Sequence, residues 1–348
     1  MNEIKNILVT GGGGYIGTTL VPHLVSKGYR VKVVDRFFFG HDLLPEEKSV
    51  ELIQEDVRWL TEEHFAGIDA VIDLAALSND PSGELFQDVT WDVNHKARAA
   101  AARMAKAAGV KRYILPSSAS IYGFQDPEVF IDEDHPTNPL TTYAKANEKA
   151  EEDILPLADD DYCVIVLRLS TVYGYSPRMR LDLAINGMTY GALSTGKLPL
   201  MRDGTQWRPM VHVRDVAAAM EMMLQYDSGE VNGEIFNVGS ERNNYQIKPL
   251  AERVVAALPR PVEIEWYGDP DHRSYRIAFN KIEALGYQAK YAVEDGVKEI
   301  CEAIEDGRIN KDAPNITLQH YKDLEHWFQV IKDMERHGGI LHIEDRAE

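Results

Sequence analysis

The sequence predicts an α/β fold with a Rossmann-type doubly wound parallel sheet and a smaller C-terminal α/β lobe that binds substrate. Two observations predict the sheet. Short apolar runs alternate with amphipathic runs through the first half of the chain, and a four-glycine turn separates the first apolar run from the first amphipathic run. A third observation predicts the second lobe, because the alternation becomes less regular after about Tyr173.

The stretch from Asn6 to Asp35 is typical of a dinucleotide-binding unit. Ile7–Val9 predict a buried strand, Tyr15–Ser26 predict a helix, and a second apolar run, Val31–Val34, ends on an acid. The glycines before the helix allow the backbone to turn tightly and to approach a pyrophosphate. The helix N-terminus offers that anion free N–H groups and the positive end of a dipole.

Two glycine spacings fit this unit, and the sequence leaves both open: Gly12, Gly14 and Gly17, or Gly11, Gly14 and Gly17. The alternative is a glycine-rich turn without a ligand, which the complete order of strand, turn, helix, strand and acid disfavours. The residues predicted to bind the cofactor at this turn are Gly11, Gly14, Tyr15, Ile16 and Gly17.

Asp35 lies about 20 residues beyond the glycine turn, where a carboxylate can hydrogen-bond the adenosine ribose hydroxyls. Because a carboxylate there repels a 2′-phosphate, NAD is favoured over NADP, although the adjacent Arg36, also a predicted contact, leaves NADP open. Asp56 and Val57 follow the third predicted strand, Val50–Gln54, and are predicted cofactor contacts. The Asp56 carboxylate is expected either to contact the adenine amino group or to cap the next helix.

Small residues end the fourth predicted strand and let the chain pass close to a flat cofactor. The predicted contacts there are Leu74, Ala75 and Ala76. A long alanine-rich helix is predicted over Asp88–Ala108, and its Asn94 is a further predicted cofactor contact. The small side chains of this helix can also pack against another helix, within the chain or across a dimer.

Residues 1–175 are predicted to form the cofactor-binding domain, to which segments near 211–240 return, and residues 176–348 mainly the substrate lobe and a C-terminal helix. Trp327 and Phe328 are the expected packing anchors of that last helix, Leu318–Arg336. Further strands are predicted at Ala70–Leu74, Arg112–Pro116, Cys163–Leu169, Leu198–Met201 and Ile235–Val238. Further helices are predicted from Leu140 and at Asp182–Leu193, Val216–Tyr226 and Ile247–Leu258.

The bulk properties disfavour several classes of partner. The chain has 348 residues and a net charge of −19, which disfavours binding to nucleic acid or to an anionic membrane. Its two cysteines, Cys163 and Cys301, lie in apolar or amphipathic runs, and no spacing of metal ligands is present. The chain shows neither a signal peptide nor an apolar run of about 18 residues, so a cytoplasmic location is expected.

Several motifs occur in an order that resembles the extended short-chain dehydrogenase/reductase family, in particular its nucleotide-sugar epimerases and dehydratases. They are TGGGGYIG, DLAA, SSASIYG, the helix of Tyr143, RLSTVYG, DGTQWRPMVHVRDVA and FNVG, and the resemblance extends from residue 4 to about 305. It implies NAD as cofactor, a nucleoside-diphosphate sugar as substrate, and a homodimer.

The resemblance also implies a reaction centre of a serine or threonine, a tyrosine and a lysine. Ser118 and Tyr143 match the first two, with Ser118 orienting the reacting oxygen and Tyr143 taking its proton. The lysine position, four residues after the tyrosine, is Asn147, which is expected to hydrogen-bond the nicotinamide ribose without supplying charge. Three possibilities remain open. The positive nicotinamide ring lowers the pKa of the tyrosine, a cation from elsewhere replaces the lysine, or the site is slow or specialised away from ordinary turnover.

A second comparison with the family narrows the reaction. Its 4,6-dehydratases carry Asp-Glu directly after the serine or threonine, whereas this chain has Ala119 and Ser120, so dehydration is disfavoured. Arg208 and Arg273 match arginines that bind the substrate diphosphate, and Arg180 is an extra candidate. The predicted substrate-binding set is Ser118, Ser120, Thr171, Arg178, Asn186, Arg208 and Arg273.

The leading functional hypothesis is epimerisation of a nucleotide sugar through transient oxidation at C4. A nucleotide-sugar 4-dehydrogenase or a reductase of a 4-keto sugar is the enzymatic alternative. An NAD-binding sensor with weakened catalysis is the alternative from another class, because loss of the lysine is also expected of a protein that binds NAD only for regulation.

Overall fold

The fold is organised around a parallel sheet of seven strands. The computed structural model describes residues 4–269, 273–309 and 313–336. Within these ranges the strands are β1 Asn6–Thr10, β2 Arg30–Asp35, β3 Val50–Gln54, β4 Ala70–Asp73, β5 Arg112–Ser118, β6 Phe130–Ile131, β7 Cys163–Leu169, β8 Thr171–Tyr173, β9 Lys197–Met201, β10 Trp207–His212, β11 Glu234–Val238, β12 Asn244–Gln246, β13 Glu263–Tyr267 and β14 Arg276–Ile277.

The helices cover both faces of the sheet and build much of the second lobe. They are α1 Gly17–Ser26, α2 Asp80–Leu85, α3 Gln87–Trp91, α4 Arg98–Ala107, α5 Thr142–Ile154, α6 Ala184–Thr195, α7 Val213–Gln225, α8 Ser228–Val231, α9 Ile247–Ala257, α10 Asn280–Ala284, α11 Val293–Glu305 and α12 Thr317–Arg336.

The strand order of the large sheet is β11-β7-β5-β4-β1-β2-β3, and every neighbouring pair is parallel. This confirms the predicted fold class, a Rossmann-type doubly wound sheet. The chain moves outward from β1 in one direction through β2 and β3 and in the other through β4 and β5. The carboxyl ends of β1 and β4 therefore border the crevice in which such sheets bind ligands.

Alternating side chains of the strands face two separate cores. In β1, Ile7 and Val9 pack with apolar residues of α1 and α7, whereas Leu8 packs with the alanines of α4 on the opposite face. All seven residues of β7 are buried, as expected for a strand covered on both faces.

A third apolar core holds the second lobe together. It joins Ile185 of α6, Leu198 of β9, Leu250 of α9 and Val297 of α11. Strands β8, β10 and β12 and helix α11 also contribute to this core and were not among the predicted elements. Strand β11 follows α6 and β9 in the chain, yet it pairs with β7 at the edge of the large sheet, so the chain crosses between the lobes more than once.

The predicted long helix over Asp88–Ala108 is interrupted by a π-helical segment, Asp92–Ala97, between α3 and α4. Asn94 lies in this segment and is fully buried. Its Oδ1 accepts a hydrogen bond from the Leu77 backbone N–H at 2.8 Å, and its Nδ2 donates to the Leu77 carbonyl at 3.0 Å. Both ends of the amide thus hold the loop after β4. Asn94 was predicted to contact the cofactor, but it lies behind this loop.

The expectation that Trp327 and Phe328 anchor the C-terminal helix is wrong. Their exposed fractions are 60% and 49%. The buried anchors of α12 lie at its start, where Thr317 is fully buried and Tyr321 contacts Phe86 just after α2. The apolar stripe of the helix continues past this contact. Trp327 and Phe328 therefore have the spacing of packing residues, but within the described residues no apolar core covers them.

Substituting Gly174 with Ala is expected to lower the free energy of unfolding by about 2–4 kcal/mol, from left-handed backbone strain and overpacking together. Gly174 has φ of +106°, and a Cβ there would lie 2.3 Å from Nε2 of His212. That ring is fixed, because Nε2 is 3.1 Å from the Glu299 carboxylate and the ring stacks on Tyr291 at 4.4 Å.

Urea denaturation of the wild type and two variants checks this expectation. Gly196 is the matched control, because it also has positive φ, +74°, but a Cβ there meets nothing within 4 Å. Gly196→Ala is expected to cost only about 1 kcal/mol of backbone strain. Equal losses in the two variants would contradict the proposed clash with His212.

Candidate active site

A cavity of about 550 Å³ lies at the carboxyl ends of the central strands, between the large sheet and the second lobe. The first lobe contributes the glycine turn and the ends of β2, β4 and β5 to its walls. The second lobe contributes Arg208 and Arg273. This is the position at which doubly wound sheets bind nucleotides.

The glycine turn leaves room for backbone only. A Cβ on Gly11, whose φ is +66°, would lie 2.7 Å from the backbone nitrogen of Ala75, and one on Gly17 would lie 2.4 Å from the Gly12 carbonyl oxygen. Helix α1 starts at this turn, and its first turn has neither an acidic residue nor a side-chain cap. Its first N–H groups therefore suit the pyrophosphate of a dinucleotide.

Asp35 closes the far side of the turn. Its carboxylate accepts hydrogen bonds from the backbone N–H groups of Gly13 at 2.9 Å and Phe37 at 2.7 Å. Burial raises its pKa above the usual range, although these bonds oppose the rise. The adjacent Arg36 is held by Asp56 at 3.1 Å and lies over the Phe38 ring at 4.2 Å, so its cation is already engaged. This arrangement favours NAD over NADP.

Asp56 lines the cavity and also caps the short helix that follows it. Its side chain accepts from the Arg58 backbone N–H at 2.9 Å, and the Arg58 guanidinium donates to it at 2.9 and 2.6 Å. Burial acts to raise its pKa, but the hydrogen bonds from Arg58 outweigh burial and lower it. The predicted helix cap is therefore confirmed, and the contact of Asp56 with the cofactor stays a prediction that its place in the cavity lining allows.

Most of the predicted cofactor contacts come together around this cavity. Those in its lining are Gly11, Gly14, Tyr15, Ile16, Gly17, Asp35, Arg36, Asp56, Val57, Leu74, Ala75, Ala76 and Tyr143. Asn94 and Asn147 lie behind the lining.

Tyr143 and Ser118 meet at the inner end of the cavity. Burial is the main cause that raises the pKa of Tyr143, and the nearby Asp80 carboxylate adds to the rise. A side-chain hydrogen bond with Ser118 lowers that pKa, as do the cations of Arg98 and Arg180. The Ser118 hydroxyl also accepts from the Ser120 backbone N–H at 3.2 Å. A phenol and a hydroxyl are thus directed at one point in the cavity.

Asn147 was expected to hydrogen-bond the nicotinamide ribose, but its side-chain amide is bonded to Tyr143 and Arg98 instead. Its Nδ2 donates to the Tyr143 carbonyl at 2.9 Å, and its Oδ1 accepts from Nη1 of Arg98 at 2.9 Å. Arg98 is buried and also donates to the carbonyls of Asp73 at 2.9 Å and Pro116 at 2.5 Å. The position of the missing lysine is therefore connected to a buried guanidinium that the sequence motifs did not single out.

Three further charged residues of the site were missed or left as secondary candidates. Asp80 lines the cavity, forms an ion pair with Arg273 and accepts from the Thr141 hydroxyl at 2.5 Å. Arg180 donates to both carboxylate oxygens of Asp182, at 3.1 and 2.5 Å. Burial acts to raise the pKa of Asp182, but the Arg180 charge and hydrogen bond lower it to about 2.

The predicted substrate residues divide into two groups. Ser118, Ser120, Thr171, Arg178, Arg208 and Arg273 line the cavity. Asn186 is buried behind it, where it accepts from the Gly174 N–H at 3.0 Å and donates to the Tyr15 hydroxyl at 3.1 Å and the Arg180 carbonyl at 3.0 Å. The Asn186 side-chain amide therefore joins the two lobes through these hydrogen bonds.

Arg208 is the buried member of the arginine pair. Its guanidinium donates to the Trp207 carbonyl at 2.8 Å and to the Arg273 carbonyl, and lies 5.4 Å from the Tyr275 ring centre. Because both arginines line the same wall, they can present two guanidinium groups to one diphosphate.

A family model described as the NAD dependent epimerase/dehydratase family matches residues 7–239, about two thirds of the chain. The chain belongs to this family. Its cofactor is therefore NAD, which agrees with the uncapped helix N-terminus and the buried Asp35 carboxylate at the glycine turn.

Several relatives of this epimerase/dehydratase chain are named as nucleotide-sugar 4-epimerases. A putative UDP-glucose 4-epimerase of Methanocaldococcus jannaschii is 27% identical over 84% of this chain and 96% of its own. UDP-arabinose 4-epimerase 1 of Arabidopsis thaliana is 28% identical over 76% of this chain and 70% of its own. The solved structure of MoeE5 in complex with UDP-glucose and NAD is 26% identical, with a TM-score of 0.75, over 87% of this chain and 99% of that chain.

The described residues contain neither a membrane-spanning helix nor a metal-binding cluster. Among the helices within residues 4–269, 273–309 and 313–336, none is long and apolar enough to cross a membrane. In the same part of the chain, no group of three His, Cys, Asp or Glu side chains is arranged to hold a metal ion.

Proposed function

We propose that this enzyme is an NAD-dependent 4-epimerase of nucleoside-diphosphate sugars. The observation that carries the proposal is the pairing of Tyr143 with Ser118 in a cavity whose lining also holds Arg208 and Arg273. The positions where the related dehydratases carry two acids are Ala119 and Ser120, which offer no general acid for loss of water. The relatives named 4-epimerases support the same choice.

In the proposed reaction, Tyr143 takes the proton of the C4 hydroxyl while Ser118 hydrogen-bonds the same oxygen. When held at the glycine turn and Asp35, NAD would supply the acceptor for the C4 hydride and the donor for its return. Tyr143 then gives the proton back to the C4 oxygen, so the reaction consumes no net proton or reductant. Because the hydride must return to the opposite face of C4, the sugar has to turn over while the arginine pair still holds the diphosphate.

The missing lysine leaves Tyr143 in need of another positive charge. We infer that Arg98 and Arg180 supply part of it: burial keeps the pKa of Tyr143 above its usual value, and the charges of the two arginines oppose that rise. Arg98 reaches the tyrosine backbone through Asn147, which bonds both residues. Asn147 is thus proposed to be a positioning residue of the catalytic helix.

Substrate binding is expected to affect Asp80 as well, because Asp80 forms an ion pair with Arg273. A diphosphate that engages Arg273 competes with the Asp80 carboxylate for the same guanidinium. Asp80 then remains held by the Thr141 hydroxyl beside Tyr143. We propose that Asp80 keeps Arg273 in place before substrate arrives and that it restrains ionisation of Tyr143.

Substituting Asp80 with Asn is expected to shift the rising limb of the pH profile of kcat to lower pH, by roughly one pH unit or less. The sign follows because the Asp80 charge raises the pKa of Tyr143, and its removal lets the phenol ionise at lower pH. Steady-state rates measured between pH 6 and 10 check this. Asp306→Asn, which alters an exposed pair with Arg308, is the control expected to leave the profile unchanged. A shift to higher pH would contradict the role given to Asp80.

The function itself is tested by incubating the purified enzyme with NAD and a panel of UDP-, GDP-, CDP- and dTDP-sugars, followed by NMR of the products. Epimerisation predicts a C4 epimer without net NADH, and a substrate deuterated at C4 is expected to retain its label. A stable 4-keto product with one NADH per turnover indicates a dehydrogenase instead, and a 4-keto sugar consumed only with added NADH indicates a reductase. Binding of NAD without turnover of any sugar indicates a sensor.

The same proposal includes a homodimer in the cytoplasm. The support for a second copy is the resemblance to the family, because most alanines of α4 and α5 are already buried within the chain itself. Light scattering coupled to size-exclusion chromatography tests the subunit number, and a monomeric mass at micromolar concentration rejects this part of the proposal.

A further inference from the structure

Arg178 is a buried cation whose charge acts on the carboxylates of Asp35 and Asp182 without a direct ion pair to either among the described residues. Its exposed fraction is 3%, and no carboxylate of the described residues forms an ion pair with it. Its Nη2 donates to the Thr317 hydroxyl at 2.9 Å, its guanidinium lies 3.7 Å from the Phe39 ring centre, and its Nε has no hydrogen-bond partner within the described chain. A buried guanidinium in this state is costly to the fold unless an anion joins it.

The position of Arg178 identifies the kind of anion. Its backbone N–H donates to the hydroxyl of Thr18, in the first turn of α1, at 3.3 Å, and its side chain lines the cavity. The Arg178 charge also lowers the pKa of Asp35 at the end of β2. Burial lowers the pKa of Arg178 itself to about 10, so it remains charged at neutral pH. The Arg178 backbone therefore lies beside the first turn of α1, and its side chain shares the cavity lining with the glycine turn and Asp35, near which a dinucleotide carries its pyrophosphate.

The C-terminal helix supports this arrangement from outside the matched family region, which ends at residue 239. Thr317, the first residue of α12, is fully buried and holds Arg178. Tyr321, one turn later, lines the cavity, and its ring contacts those of Phe38 and Phe39 at 6.5 and 6.1 Å. His320 Nε2 lies 2.8 Å from the Phe38 carbonyl. The start of α12 thus closes one side of the cofactor crevice.

We propose that Arg178 binds the pyrophosphate of NAD and that Thr317 and Tyr321 of α12 complete the cofactor site as a retaining cover. The assignment moves Arg178 from the substrate, where the sequence motifs had placed it, to the cofactor. It explains why a guanidinium is buried with one N–H unpartnered, because the phosphate oxygens supply both the charge and the acceptor. It depends on the NAD site and not on which sugar the enzyme epimerises.

The test measures cofactor binding directly, by calorimetric titration of cofactor-free protein with NAD, ADP-ribose and adenosine. Arg178→Met is expected to weaken NAD and ADP-ribose by roughly 10- to 100-fold, as for loss of a charge-assisted hydrogen bond, and to leave adenosine unchanged. Thr317→Val, which removes only the supporting hydroxyl, is expected to weaken both phosphate-containing ligands by roughly 3- to 10-fold. Arg253→Met, which alters an exposed pair with Glu294, is the control expected to show no change.

Thermal unfolding of the cofactor-free variants separates binding from folding. Because Arg178 is buried and makes no direct ion pair within the described residues, Arg178→Met is expected to have an unchanged or higher Tm without NAD and a smaller rise when NAD is added. Three results would overturn the proposal: wild-type affinity for NAD in Arg178→Met, equal loss of adenosine and NAD binding, or an unchanged NAD affinity with a raised KM for the nucleotide sugar. If Arg178→Met does not fold, Arg178→Lys is titrated instead, and NAD affinity within twofold of wild type in both Arg178→Lys and Thr317→Val overturns it.

Discussion

Substituting Tyr143 with Phe is expected to lower kcat by roughly 10³-fold, within the range for loss of a general acid–base group. The change removes one oxygen atom and leaves a ring that fits the same buried site. Without the phenolic oxygen, the C4 hydroxyl loses its proposed base. Ser118 cannot replace it, because a serine hydroxyl stays protonated near neutral pH and is a very weak base. The Asn147 bond to the Tyr143 carbonyl does not involve the ring and is expected to persist.

Stopped-flow and steady-state rates for the preferred sugar check the expectation, together with NAD titration of the same protein. NAD affinity is expected to stay within about twofold of wild type, which separates lost chemistry from lost folding. Tyr267, whose exposed fraction is 49%, provides the control Tyr267→Phe, with no change in rate. Retention of more than about one tenth of the wild-type kcat in Tyr143→Phe would show that another group is the base.

Substituting Arg208 with Met is expected to raise KM for the nucleotide sugar by roughly 100-fold, from loss of charge-assisted bonds to the diphosphate. Arg208 has the larger expected effect of the arginine pair because it is the more buried: its exposed fraction is 9%, whereas the Arg273 side chain is 31% exposed. Methionine keeps much of the aliphatic volume beside Tyr275, so packing loss is small.

The measurement compares KM, kcat and NAD affinity in the variant and in Arg253→Met, whose guanidinium pairs with Glu294 on the surface. NAD affinity is expected to be unchanged in both, because Arg208 is assigned to the substrate diphosphate and not to the cofactor. An unchanged KM in Arg208→Met would remove the diphosphate assignment, and a loss confined to NAD affinity would place Arg208 at the cofactor.

Sequence patterns predicted best the elements that depend only on local features, such as the burial of a strand or the lack of space for a side chain. Strand β7 begins and ends as predicted, at Cys163 and Leu169, because a buried parallel strand is mostly apolar, and here only Arg168 interrupts the run. The glycine turn was equally predictable, since Gly11 and Gly17 leave no room for a side chain. Both features depend on neighbours that the strand–turn–helix pattern already implies.

Other parts of the site depend on contacts between distant segments, which no local pattern encodes. Asp80 is paired with a residue 193 positions away, and Arg178 with one 139 positions away. Asn147 occupies a motif position, yet its amide is used by Arg98, whose location in an alanine-rich helix gave no functional signal. Trp327 has the helical spacing of a packing residue, but spacing alone does not supply a partner surface.

The return of β11 to the large sheet determines where the polypeptide can be divided. A fragment that stops at residue 175 lacks the strand that pairs with β7 along Cys163–Leu169. The whole edge of β7 would then present free N–H and C=O groups on an apolar strand, which is a template for aggregation. Production of the cofactor-binding half alone therefore requires a fusion that rejoins residues 234–238 to the truncated chain, rather than a simple cut between the lobes.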